Sequence, residues 1–221
     1  ISIPDLTRSP VSTFFGTIYT SQANDYCGYG NSSNRDAAFA AGAKQLALYK
    51  NIESKGLLSI QHEGCKCRDS LSMLLLMEGA DPIRSPEDVR WWAEQGLRIV
   101  GLTWSSGTRY AGGNDCDTGI TDEGKELVAS LDEHAIVHDA SHLSDYAFDD
   151  LCSNAKGKII ASHSNSRVVL NNKSQRHLTD EQAKEIFRRG GVVGLNLCTQ
   201  FLSKTFDKNN TDATIDDCVE P

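Results

Sequence analysis

The stretch "HDASHLSDYAFDDLCSNAKGKIIASHSNSR", residues 138–167, presents one pattern twice: a short apolar run followed by a Ser-His pair, first at Ser141-His142 and again at Ser162-His163. The runs, "AIVHDA" and "KIIA", are short and β-branched, which predicts strands rather than helices. Between them Ser144 precedes "DYAFDDLCSNA", an N-cap serine in front of a helical pattern of about three turns. The two histidines are 21 residues apart, the length of a strand end, a loop, a helix and the next strand. They are therefore expected at the carboxyl ends of neighbouring parallel strands, the face on which α/β proteins build their sites.

Outward from this unit the same alternation continues. Toward the N-terminus, "VSTFFGTIYT" (11–20), "SMLLLME" (72–78) and "LRIVGLT" (97–103) predict strands. Helices are expected over residues 34–55, after Ser85-Pro86, and from Thr121 to about Leu131. Toward the C-terminus, Thr179 and Gln182 form a capping box for "DEQAKEIFRR", and "GVVGLNL" (191–197) predicts a sixth strand. The strands are apolar throughout instead of alternating, as strands covered on both faces are. The class is α/β with a parallel sheet. A (β/α)8 barrel needs about 250 residues, whereas a doubly wound sheet accommodates six strands as they stand, and periodicity alone leaves both open. Residues 1–221 are expected to form a single domain.

Two imidazoles meeting at adjacent strand ends are suited to one metal ion. His134 and His138 stand eight and four residues before His142 and would share a helix face with it, but Ile136 and Val137 favour a strand there, so both are read as structural. A third ligand is expected from Glu78, because an acid closing the apolar run "SMLLLME" is costly unless something pairs with it. Glu63, in the polar turn "QHEG", is the rival and is read as solvated. Glutamate plus two histidines with an open fourth position is a catalytic zinc pattern.

Bulk properties bound the partners. A net charge of −8 argues against nucleic acid and against an anionic membrane surface, leaving a small molecule or peptide as the partner class. No apolar run reaches the roughly 18 residues of a transmembrane helix, so the chain is expected to be soluble. The seven cysteines, Cys27, Cys65, Cys67, Cys116, Cys152, Cys198 and Cys218, are odd in number and irregularly spaced; they suggest no disulfide framework and favour a reduced, cytoplasmic compartment. The cluster of His62, Cys65 and Cys67 lacks a second pair at zinc-finger distance and reads as a surface turn.

The motifs "MEGADPI", "GLRIVGLTWSSGTRYAGG", "DASHLS", "IASHSNSR", "RHLTDEQ" and "GGVVGLN", in this order, resemble those of the membrane (renal-type) dipeptidase family, zinc metallopeptidases of the amidohydrolase superfamily. The resemblance runs from about residue 11 to residue 202. It implies a (β/α)8 TIM-type barrel, two zinc ions bridged by a glutamate, and hydrolysis of dipeptides by metal-activated hydroxide. Carried onto this sequence, the bridging carboxylate falls on Glu78, two further metal ligands on His142 and His163, and a substrate-binding arginine on Arg176. Trp104 stands where renal-type members carry a substrate-pocket histidine, which implies altered specificity. The family's His-x-Asp of the first strand and Gly-Ser-Asp of the eighth are not found, so the 221 residues read as a barrel without its first and last strands. Homodimer formation is left open. The alternatives are another amide or lactam hydrolase on the same scaffold, or a non-catalytic binding remnant.

Overall fold

The computed structural model describes residues 2–22, 28–31, 33–62, 71–171, 173–202, 214 and 216. A short helix α1 (Ile3–Arg8), closed by a Ser2/Asp5 capping box, leads into strand β1 (Thr13–Tyr19). Asn34 caps the long α2 (Arg35–Ser54), and a two-residue strand β2 (Ser59–Ile60) precedes β3 (Ser72–Glu78). Ser85 does not cap the next helix as its position suggests; its hydroxyl turns to Glu87, and a 3-10 turn (Pro86–Asp88) runs into α3 (Val89–Glu94). Strand β4 (Leu97–Gly101), α4 (Asp122–Glu133), β5 (Val137–Asp139), α5 (Asp145–Asn154), β6 (Ile159–Ile160), α6 (Arg167–Leu170) and α7 (Asp180–Arg188) follow. Thr121, Ser144 and Thr179 cap their helices through side-chain oxygens, as their sequence positions predict.

All strand pairings are parallel, and the path runs β1-β3-β4-β5-β6, with β2 bonded to the lower part of β3. This order separates the two architectures left open by periodicity. A doubly wound sheet reverses direction at a switch point, whereas here the path runs in chain order without reversal, as in a (β/α) barrel. The segment expected as the sixth strand lies next in line but forms only a bridge, Val193 to Ala161.

The register assigns the two faces of the sheet. Leu76, Ile99 and Val137 stand side by side across β3, β4 and β5, and with Ile160 they form a small cluster of their own. Their neighbours along the strands, Leu75, Met77, Leu97, Val100 and Ile159, belong to the main core with Trp92, Leu127, Leu131 and Leu151 from the helices. Two residues beyond the small cluster, on the same inner face, stand Glu78, Gly101 and Asp139, in register across three strands. Gly101 leaves the space between the two carboxylates without a side chain.

A buried imidazole makes part of this fold acid-sensitive. His177 is 1% exposed, neither ring nitrogen has a partner among the described residues, and burial, with Arg176 and Arg167 nearby, holds it at about 4. The unfolded chain takes up that proton near 6.5 while the folded chain does not. The stability His177 contributes is therefore present above about 6.5 and is lost as pH falls toward about 4. His138 is shifted downward by burial too and acts in the same direction. The urea midpoint is expected to fall between pH 7 and pH 5, with a shallower fall in His177→Gln; equal midpoints in the wild-type chain would contradict this.

Candidate metal centre

Glu78 is the last residue of β3, and His142 and His163 each follow the end of their strand, Asp139 and Ile160, by the same three-residue step. The repeated Ser-His pair is thus one structural position used by two adjacent strands. Gly79 directly after Glu78 has φ +86, a left-handed turn in which the chain leaves the strand and for which a side chain would be strained. His142 itself has φ +70. A non-glycine residue in that region costs about 1–3 kcal/mol and persists where the surrounding structure over-determines it.

The three side chains converge. Glu78 Oε1 lies 3.1 Å from His142 Nε2 and 3.2 Å from His163 Nε2, and the two Nε2 atoms are 3.1 Å apart. Hydrogen bonds at the far side of each ring hold its Nδ1. Asn114 donates from Nδ2 to Asp115, which turns its Oδ1 toward His142 Nδ1 at 2.9 Å, so Nδ1 carries the proton. Ser162 donates its hydroxyl to Asp139 Oδ2 at 2.5 Å and accepts from His163 Nδ1 at 2.7 Å. Both rings, held at Nδ1 on the far side, therefore turn Nε2 toward the point that Glu78 Oε1 also faces. In the neutral Nδ1–H tautomer each ring would offer an Nε2 lone pair there, and three such acceptors are held together by a cation between them. Ligand atoms about 2.0–2.1 Å from a tetrahedral zinc are about 3.3 Å from one another, which the observed triangle approaches.

Electrostatics favours an ionised Glu78 and a neutral His142. Burial pushes the Glu78 carboxyl up, but the two imidazoles outweigh it and hold the group at about 2. Burial lowers His142, only partly countered by Glu78. An ionised carboxylate and a neutral imidazole are the forms that bind metal. Among the described residues, this trio is the group of His, Cys, Asp and Glu side chains able to hold an ion.

Around the trio stand the other two residues singled out from sequence. Arg176 is 6% exposed; its Nη2 donates to the His163 carbonyl at 2.8 Å and its Nη1 to Ser164 Oγ at 3.2 Å. Among the described residues its charge has no ion-pair partner, and its guanidinium stands 5.6 Å from the Phe201 ring centroid. Trp104, 41% exposed, packs its ring against His142 at 5.8 Å and against Tyr19 at 5.5 Å. His134 and His138 lie elsewhere in hydrogen bonds, to Ser130 O and to Asp132. Glu63, Cys65 and Cys67 lie outside the described residues.

Sequence reasoning missed Asp139, Ser162 and Asn114, which orient the rings. Asp139 was open to the argument that named Glu78, an acid closing an apolar strand. Asn114 carried no such signal. It reaches His142 because Gly112 and Gly113 let the long β4–α4 loop pack against the β5–α5 loop, through Ser144 N to Gly112 O and the bridge of Gly113 to Leu143. A Cβ on Gly113 would lie 1.9 Å from the Trp104 carbonyl.

The chain is similar to several known proteins. An uncharacterized protein in the PQQ-III 3′ region of Acinetobacter calcoaceticus is 33% identical over 189 residues, 80% of this chain and 58% of that protein. A metallopeptidase from Rhodobacter sphaeroides, solved with a phosphinate mimic of the dipeptide L-Ala-D-Ala, matches with TM-score 0.79 at 24% identity over 92% of this chain and 66% of its own. Dipeptidase AC, a metallopeptidase of family M19, matches with TM-score 0.78 at 25% identity over 92% of this chain and 64% of its own. The chain thus spans 58–66% of the length of these relatives, and its parallel sheet is part of the TIM-type barrel of the two solved structures. Residues 1–221 in their entirety match membrane dipeptidase (Peptidase family M19), and the chain belongs to that family.

Proposed function

We propose that this protein is a zinc-dependent dipeptidase whose centre is Glu78, His142 and His163. The observation that carries the reading is the convergence of one carboxylate oxygen and two imidazole Nε2 nitrogens within 3.2 Å, beside a buried guanidinium that has no ion-pair partner among the described residues. Two nitrogens, one oxygen and an open fourth position suit zinc. When bound, the ion supplies a Lewis acid for the peptide carbonyl and lowers the pKa of water to about 7. The chain's own residues do the rest. Asn114 and Ser162 keep both Nδ1 atoms protonated, so the opposite nitrogens stay available as ligands. Arg176, held by the His163 carbonyl and Ser164, keeps donors free for a carboxylate and stands beside the centre, where a dipeptide's C-terminus would lie. The exposed Trp104 ring flanks His142 and offers a face to a substrate side chain.

The test is hydrolysis of simple dipeptides by the zinc-loaded full-length protein, with C-terminally amidated dipeptides as controls. Arg176→Lys is expected to raise KM by roughly tenfold with a smaller change in kcat, because a point charge replaces a two-pronged donor. The amidated substrates should be poor for the wild type. An unchanged KM would remove Arg176 from the site, and no turnover of any dipeptide would overturn the function.

A further inference from the structure

We propose that Asp139 is the positioning residue that sets both imidazoles of the metal centre through one carboxylate. The inference rests on the metal reading given above and goes beyond it, since Asp139 is not itself among the converging ligands. Asp139 is the inner-face residue that closes β5, 2% exposed, in register with Gly101 and Ile160. Its Oδ1 accepts from the backbone N–H of Ser141 at 3.0 Å and of Ser162 at 2.9 Å, and its Oδ2 accepts from the Ser162 hydroxyl at 2.5 Å. Those two serines are the residues immediately before His142 and His163.

The bonds form one directed chain. With its proton committed to Asp139, the Ser162 oxygen can only accept, and it takes the Nδ1 proton of His163. Ser141 Oγ accepts from the His163 backbone N–H at 3.2 Å and lies 3.3 Å from Ser162 Oγ, which ties the first Ser-His turn to the second. The left-handed backbone of His142 is held in place by the same carboxylate through Ser141 N. Neutralising Asp139 would free the Ser162 hydroxyl to donate to His163 Nδ1. His163 would then carry its proton on Nε2, the atom the metal needs.

Partners that orient ligands typically control metal affinity by about 10–100-fold. Zinc affinity is to be measured by chelator competition at pH 7, with the melting temperature of the metal-free protein read alongside. Asp139→Asn and Ser162→Ala are each expected to weaken zinc about 10–100-fold, and the double variant about as much as the stronger single one, because both cut the same chain of bonds. Ser162→Thr, which keeps the hydroxyl, is expected to stay near the wild-type affinity. A merely structural role would lower the melting temperature and leave the affinity of the folded protein unmoved. Zinc affinities of Asp139→Asn and Ser162→Ala within about twofold of wild type would overturn the proposal, as would losses that multiply in the double variant. Failure of the wild-type protein to bind zinc would overturn the metal reading, and this inference with it.

Discussion

Glu78→Gln is expected to cut dipeptide turnover by roughly three orders of magnitude and to remove tight zinc binding. The amide is nearly the same size and shape as the carboxylate, so packing against β1 and β4 is kept and the loss is electrostatic. Glu78 is the one negative charge among the three converging donors, and its ionisation is held at about 2 in spite of burial. Glutamine in its place has no charge to offset the ion, and the two imidazoles would face either a neutral oxygen or an N–H. The metal-free variant is expected to be somewhat less stable than the wild type, because the folded surroundings favour the ionised carboxylate that glutamine removes. Turnover, zinc affinity and the melting temperature of the metal-free protein, measured together, separate a lost ligand from a damaged fold. Turnover above a tenth of wild type would show that Glu78 does not hold the ion.

Glu78, His142 and His163 were legible because each stands at a strand end, and strand ends follow from local periodicity and from an interval that repeats. The same reasoning stopped at the choice between barrel and doubly wound sheet. Strand order depends on which apolar runs pair at a distance, and nothing in an apolar run names its neighbour. The unbroken path from β1 to β6 supplied that information. Strand β2 is two residues long and α1 six, below the length at which a period can be seen. Asn114 is distant in sequence from His142, and its contact depends on the close packing at Gly113, a matter of backbone clearance that composition does not express. Asp139 marks a different limit. It looked like the end of a strand, and only the register showed it facing inward beside Glu78, two serines away from both histidines.

Metal analysis of the purified 221-residue chain is expected to return one tightly held zinc. The described residues supply one three-donor cluster, Glu78, His142 and His163. Three other imidazoles are committed or isolated among the described residues: His134 to Ser130, His138 to Asp132, and His177 buried with neither nitrogen near a described partner. A second ion bridged by the same carboxylate, as the family resemblance implies, would have Glu78 Oε2 as its ligand from these residues, and one carboxylate oxygen falls short of the four ligands at which zinc is normally held. Binding of the first ion should also stabilise the chain, by about 2.7 kcal/mol at a hundredfold excess over Kd, which for a chain of this size corresponds to a rise in Tm of roughly 5–10 °C. His163→Ala removes one of three donors and is expected to abolish both the bound zinc and the rise, while its metal-free melting temperature changes little, since the ring is part-exposed and at the rim. Two ions retained after dialysis against a chelator, or an undiminished thermal shift in His163→Ala, would place the ligands elsewhere in the chain, with His62, exposed at the opposite end of the sheet near Gly96, the first described residue to replace.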